Sequence, residues 1–108
     1  MDFKYIVVRV GFIRKGSTNP DFFFKMPFIF PKSMTHSTMA DAAMSAIKKD
    51  QEAVGNRCTM DVSSAGFVRL DSLGGPTCYG TSSTLLIGVD PDDEYLLRTY
   101  TYTSGIEG

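Results

Sequence analysis

The sequence has one histidine, His36, and two cysteines, Cys58 and Cys78, among 108 residues. A single imidazole excludes any metal cluster that takes two histidine ligands from one chain. Neither cysteine has the cationic neighbour or adjacent base that activates a thiol nucleophile, since the side chain of Arg57 should point to the opposite face of a strand from Cys58. We therefore expect no metal site and two packed, free thiols, with a disulfide between Cys58 and Cys78 as the alternative.

The chain also lacks a charge excess and a long apolar run. Eleven basic and twelve acidic residues leave a net charge of −1, whereas nucleic-acid-binding domains normally carry a strong basic excess. No apolar run approaches the ~18–20 residues that span a bilayer, and the N-terminal residues show no secretory signal pattern. These absences predict a cytoplasmic protein that binds neither nucleic acid nor membrane.

Motifs for cofactors and catalysis are missing as well. The glycine- and hydroxyl-rich segments 74–75 and 80–84 match neither GxGxxG nor GxxxxGK[ST]. The acidic segment 90–94 lacks the ligand spacing of a calcium-binding EF-hand. No pair of carboxylates, and no carboxylate with His36, stands out as a general acid and base. We interpret the protein as non-enzymatic, with no catalytic residue and no cofactor.

Two alternating runs open the chain and predict an antiparallel hairpin. In the run 3–14, Ile6, Val8, Val10 and Phe12 share one face. The run 21–30 follows after a loop rich in turn-forming residues. Pro27 cannot donate to a ladder, so the second strand should lie at a sheet edge or carry a bulge.

The segment 34–54 changes the hydrophobic period from that of a strand to that of a helix. Met39, Ala40, Ala43 and Ile47 recur at helical spacing. Several Ser and Thr residues before them are candidate N-caps, and Gly55 is a natural left-handed terminator. Asp41 early and Lys48-Lys49 late would suit the helix dipole.

The remaining chain predicts further strands. Residues 57–62 and 67–70 read as two strands joined by a turn at 63–66, and strands are expected at 77–79 and 84–89. The segment 90–94 either caps a short helix through Arg98 or connects two strands, and we favour a helical turn followed by a strand at 99–103.

These elements predict a single α+β domain over residues 1–108. It consists of a hairpin (1–31), a helix (34–54), and a hairpin with C-terminal strands (57–103). The expected order is ββαββ(α)β, which forms an antiparallel sheet of about five strands with the main helix packed on one face.

Apolar residues on the other face of the first hairpin form the first candidate site. A lone helix covers one face of a sheet, which would leave Tyr5, Val7, Phe23 and Ile29 in need of a second cover. An interface in a homodimer or with another protein would supply that cover. The alternative is that the loop region 71–83 folds over this face.

A second candidate site lies at the predicted start of the helix. His36 and Ser37 could form a pocket for a small ligand or nucleotide with the hydroxyl groups of Thr81, Ser82 and Ser83. The alternative for His36 is a structural or capping role.

Two segments resemble small uncharacterised proteins encoded by tailed bacteriophages. They are Phe-Pro-Lys-Ser-Met-Thr-His at 30–36, leading into an alanine-containing helix, and Cys-Tyr-Gly-Thr-Ser-Ser-Thr-Leu at 78–85, followed by a Pro-Asp-Asp turn. Together they make up about a sixth of the chain. The resemblance implies a phage accessory protein that acts on a host protein in the bacterial cytoplasm, and it carries over no catalytic residue.

Overall fold

A four-stranded antiparallel sheet forms the centre of the protein. The computed structural model describes residues 1–71 and 75–99. The strand order in the sheet is β2-β1-β3-β4, so β2 and β4 are its edges. The strands are β1 (Asp2–Ile13), β2 (Phe22–Phe30), β3 (Arg57–Asp71) and β4 (Gly75–Tyr79).

Strand β1 is buried on both of its faces. Ile6, Val8 and Val10 point to one face and Tyr5 and Val7 to the other, and none of these side chains is more than 1% exposed. The predicted hairpin is confirmed, because β2 pairs antiparallel with β1 along its whole length. Pro27 lies in this edge strand, where a missing N–H is tolerated.

Helix α1 (His36–Ala53) packs against the first of these faces. Thr35 is its N-cap, and the Thr35 side chain accepts a hydrogen bond from the N–H of Thr38. After the helix, Gly55 adopts a left-handed conformation with φ of +81°. The expected helix and its glycine terminator are therefore confirmed. The expected charge pattern is wrong, since the first turn holds no acid and the last turn no base.

Strand β3 runs through the predicted turn at 63–66, so the prediction of two short strands there is wrong. Val7 opposes Ser64 while Val8 opposes Val62, which leaves Ser63 as the extra residue of a β-bulge. Gly66 serves close packing rather than a turn, because a Cβ atom there would lie 2.8 Å from the carbonyl oxygen of Tyr79. Ser63 thus forms a bulge and Gly66 allows close contact with Tyr79, and the strand continues through both residues.

A small two-stranded sheet follows the main one. It pairs β5 (Thr81–Ser82) with β6 (Ile87–Gly88). The predicted strand at 84–89 is wrong over its first half, because residues 83–86 form the turn between these strands. Leu86 takes a positive φ of 58° in that turn.

A second helix, α2, covers residues 93–99 and packs on the other face of the main sheet. Leu97 is 1% exposed and lies against Tyr5, Val7 and Val68. The Asp90 side chain accepts a hydrogen bond from the N–H of Asp92, as expected of an N-cap. The helical alternative for 90–98 is confirmed, Thr99 belongs to the helix, and the rest of the predicted strand 99–103 lies outside the described residues.

The architecture is therefore α+β, with an antiparallel sheet between one long helix and one short helix. The two apolar clusters lie on opposite faces of β1. The helix-side cluster contains Ile6, Val8, Val10, Phe30, Ala40, Ala43 and Ala65, and the opposite cluster contains Tyr5, Val7, Val68 and Leu97.

Replacing Gly66 by alanine should destabilise the protein by about 1–3 kcal/mol, because the added methyl group overpacks a filled space. It would meet the Tyr79 backbone at 2.8 Å and the Val89 side chain at 2.9 Å. Urea unfolding of Gly66→Ala and the wild type measures the difference. Gly88→Ala is the matched control, because its nearest neighbour is a threonine methyl group at 3.1 Å. Equal stability of Gly66→Ala and the wild type would contradict the close packing described above.

Candidate functional site

Three consecutive phenylalanines at the start of β2 form the largest exposed aromatic surface that the structure describes. Phe22, Phe23 and Phe24 are 60%, 49% and 43% exposed. Further along the same strand, Met26, Phe28 and Phe30 pack into or against the helix-side cluster. The strand thus changes from exposed to buried along its length. We call the segment Phe22–Phe24 the aromatic tip.

Pairing with β1 sets the faces on which the three rings lie. Phe22 and Phe24 oppose Phe12 and Val10 on the helix side of the sheet. The ring of Phe22 contacts that of Phe12, with centroids 5.9 Å apart. Phe23 opposes Gly11 and lies on the other side. The aromatic tip therefore exposes rings on both faces of an edge strand.

Gly11 and Arg9 hold Phe23 in place. A Cβ atom on Gly11 would lie 2.8 Å from the Phe23 ring, so only glycine lets this ring rest on β1. The guanidinium carbon of Arg9 lies 5.0 Å from the centroid of the same ring, within cation–π range. Phe23 is thus positioned although half of its surface is exposed.

Charged side chains border the aromatic tip. Arg14 and Asp21 form an ion pair of 2.8 Å just before β2, and Arg9 pairs with Asp61 of β3 at 3.2 Å. Lys25 ends the tip and lies directly opposite Arg9. Among the described residues Lys25 has no ion pair. The tip is therefore flanked by an acid on one side and an uncompensated base on the other.

An open groove of about 440 Å³ continues from the aromatic tip around the end of the hairpin. Its lining includes Phe12, Ile13 and Phe22 together with the charged side chains of Arg14, Asp21 and Arg57. Arg57 donates a hydrogen bond of 2.7 Å to the carbonyl oxygen of Ser17, which ties β3 to the hairpin loop. The combination of aromatic and arginine side chains is typical of protein interfaces.

The structure separates the four residues that the sequence singled out for an interface. Tyr5 and Val7 are fully buried, and Ile29 packs against their cluster. The expectation that this face needs another molecule to cover it is wrong for these three residues, because α2 covers them from within the chain. Phe23 remains exposed and belongs to the aromatic tip.

A buried polar cluster fixes α2 to the sheet. The carboxylate of Asp93, 1% exposed, accepts hydrogen bonds from the Tyr5 hydroxyl at 2.5 Å and the Ser64 hydroxyl at 2.8 Å. It also accepts one from the N–H of Asp90 at 2.9 Å. These bonds satisfy the carboxylate inside the protein, so the cluster is a structural anchor.

Burial also raises the pKa values of two side chains near this cluster, Tyr5 and Cys78. Burial, followed by the hydrogen bond to Asp93, raises the pKa of Tyr5 above its ordinary value. Burial raises the pKa of the Cys78 thiol to about 11; the hydrogen bond with Tyr5 opposes this shift, and the carboxylates of Asp93 and Glu94 add to it. A thiol that keeps its proton at neutral pH is a poor nucleophile. Both cysteines are free.

His36 has a structural contact inside the fold. Its side chain is 3% exposed, and Nε2 lies 2.8 Å from the carbonyl oxygen of Gly66, so Nε2 carries the proton of this hydrogen bond. The rings of Phe30 and Phe67 meet the imidazole edge to face. The structural alternative for His36 therefore agrees with its surroundings.

The structure brings the start of α1 next to the 81–84 hydroxyl segment, but the facing groups bond to each other. The N–H of Ser37 donates to the hydroxyl oxygen of Thr84 at 3.2 Å. The hydroxyl of Ser82 is buried and accepts a hydrogen bond from the N–H of Leu85. Thr81 and Ser83 are exposed. The chain's own side chains thus occupy donors that a ligand would use.

No family model matches this sequence, and no curated protein and no solved structure matches it either. Within the described residues, no helix is long and apolar enough to cross a membrane. The same part of the chain contains no group of three or more His, Cys, Asp or Glu side chains placed to hold a metal ion. The geometry of the candidate site is therefore what indicates its role.

The free energy of unfolding should fall as the pH rises above about 9. The pKa values of Cys78 and Tyr5 are raised in the folded state from ordinary values of 9.0 and 10.0. Their contribution is therefore complete below those values and is lost as the unfolded state releases these protons first. Urea unfolding between pH 7 and pH 11 measures this dependence.

Two variants divide the pH dependence between the two groups. Cys78→Ala should flatten the fall between about pH 9 and pH 11, and Tyr5→Phe should flatten it above pH 10. Ser64→Ala is the control, because it removes a hydrogen bond to Asp93 without removing a titrating group. It should lower stability at every pH and keep the slope. A wild-type stability that is constant from pH 8 to pH 11 would contradict the assignment.

Proposed function

We propose that the chain is a small, non-enzymatic protein-binding module that binds its partner through the aromatic tip of β2. The observation that carries this proposal is the exposure of Phe22, Phe23 and Phe24 on an edge strand. Most other apolar side chains of the hairpin belong to or pack against the two clusters that α1 and α2 cover. Contiguous exposed apolar surface of this kind marks interaction sites in soluble proteins.

The edge position of β2 supports recognition of another polypeptide. An edge strand presents backbone N–H and C=O groups that a further strand can pair with. Natural edge strands are commonly protected by lysine and proline. In β2 those residues, Lys25 and Pro27, follow the aromatic tip and leave the first part of the strand unprotected.

The rings of the aromatic tip are already ordered by their neighbours, which favours binding of a partner. Gly11 and Arg9 constrain the ring of Phe23, and Phe12 contacts that of Phe22. Side chains that are already ordered lose less conformational entropy when a partner covers them. Arg14 and Arg57 beside the groove add the charged rim that protein interfaces use.

The kind of partner follows from the resemblance of segments 30–36 and 78–85 to phage proteins. On that basis the module is a phage accessory factor that binds a bacterial host protein in the cytoplasm and inhibits or redirects it. A small-ligand or nucleotide site at the start of α1 has less support, because the N–H of Ser37 is already bonded to Thr84.

Replacing the aromatic tip should abolish partner binding and leave the fold intact. The variant Phe22→Ser/Phe23→Ser/Phe24→Ser removes three exposed rings and no core side chain. Immobilised wild type and variant are compared for the proteins they retain from a bacterial lysate. We expect at least one protein to be retained by the wild type and to fall by about tenfold or more on the variant, as for loss of interface hot spots.

Tyr95→Ser is the matched control. Tyr95 is an aromatic residue that is 72% exposed, but it lies on α2 and not on β2. It should retain the same proteins as the wild type. Thermal unfolding of all three proteins confirms that the variants are folded. Identical retention by the wild type and the triple variant would refute the role of the aromatic tip.

A further inference from the structure

We infer that the edge of β2 pairs with the same edge of a second copy of this chain, antiparallel and around a twofold axis at Phe23. This inference rests on the proposed function, because a second copy would occupy the same site and compete there with a host protein. Two features support it: the order of side chains along the tip and the charges that border the tip.

The segment Asp-Phe-Phe-Phe-Lys at 21–25 is complementary to itself when two copies run antiparallel. With the twofold axis at Phe23, Asp21 lies opposite Lys25 of the second copy and Phe22 opposite Phe24 of the second copy. Symmetry repeats each of these contacts, as in any isologous interface. A shift of register by two residues would break both ion pairs.

The local charges favour an acid from outside the chain. Lys25 lies directly opposite Arg9, and like charges in that position repel each other. Asp61 compensates Arg9 at 3.2 Å, whereas Lys25 has no ion pair among the described residues. Asp21 of the second copy would supply that counter-charge. Its present pair with Arg14 is exposed, and exposed pairs contribute little to stability.

The aromatic rings of the two copies would cover one another. Phe22 and Phe24 lie on the helix side and would form two cross-strand pairs, while Phe23 would meet its equivalent on the other side. From their exposed fractions, the three rings of each copy offer roughly 300 Å² for burial. Aromatic cross-strand pairs are among the more stabilising ones in antiparallel sheets.

The structure also limits the length of this pairing. Strand β2 begins at Phe22, and the N–H of Asp21 points at the carbonyl oxygen of Phe12 in β1 at 3.4 Å, so Asp21 would join the pairing through its side chain and the backbone pairing would cover 22–24. Beyond Lys25, the same register would place Pro27 opposite Asn19, which lies in the hairpin loop. Interfaces below ~1,200 Å² are usually weak or transient, so the dimer should dissociate on dilution.

The resulting dimer would have one continuous sheet. Two four-stranded sheets joined at their β2 edges give eight strands, with both copies of α1 on the same side because the twofold axis is perpendicular to the sheet. Phe22 and Phe24 of both copies would then lie between the two helices.

Charge exchange tests the pairing and its register together. Asp21→Lys or Lys25→Asp alone places two like-charge contacts in the interface, so each should raise the dimer dissociation constant by about tenfold or more. The double variant Asp21→Lys/Lys25→Asp restores both ion pairs, with the base now at position 21 and the acid at position 25. It should recover most of the wild-type association. Sedimentation equilibrium over a range of protein concentrations measures the constant.

Lys49→Asp and Asp50→Lys are the matched controls. Both residues are exposed on α1, and the substitutions change the net charge by the same amount as the single variants. Each should associate as the wild type does. Thermal unfolding shows whether every variant is folded.

The results separate this inference from the proposed function. A wild type that sediments as one chain at all concentrations, or a double variant that fails to recover, overturns the second copy as occupant. If lysate proteins are nevertheless retained in a manner that depends on Phe22–Phe24, the protein-binding function stands with another partner. If that retention is independent of the tip as well, both proposals are refuted.

Discussion

The burial of β1 on both faces is the constraint on which the rest of this structure depends. A strand whose alternate side chains are Ile6, Val8 and Val10 on one face and Tyr5 and Val7 on the other has no face to offer to water. It must therefore lie inside the sheet, with a layer above and a layer below. Helix α1 provides the first layer and α2 the second.

Helix α2, the second layer, is held on the sheet by buried hydrogen bonds as well as by its apolar contacts. Helix α2 is short, and the carboxylate of Asp93 connects it to Tyr5 of the first strand and Ser64 of the third. A buried carboxylate is tolerated only when its hydrogen bonds are supplied, and here the hydroxyl groups of the sheet supply them. The bulge at Ser63 changes which face the following side chains of β3 point to. Ser64 therefore lies on the same face of the sheet as Val7, the face that α2 covers.

Both faces of the sheet centre are used internally, and among the described residues of the hairpin the exposed aromatic rings lie at the start of β2. There the helix-side rings of Phe22 and Phe24 are no longer covered, and Phe23 is only partly covered by Arg9. The strand is also an edge, so backbone pairing and aromatic contact are available at one place. The proposed function and the proposed self-association both follow from this combination.

Local patterns in the sequence by themselves determined the hairpin and the long helix with its glycine terminator, and they favoured a helical turn after Asp90 over a connection between two strands. Period, capping and turn chemistry act between residues that are near in the chain, so Gly55 and Pro27 could be interpreted without the fold, whereas the structure selected Thr35 as N-cap from several Ser and Thr candidates. The tertiary structure alone decided that β3 is continuous, that α2 rather than a partner covers Tyr5 and Val7, and that the rings of Phe22, Phe23 and Phe24 remain exposed. These outcomes depend on which distant segments pack together, as Tyr5 and Asp93 do across 88 residues of chain, and no local period encodes such a contact.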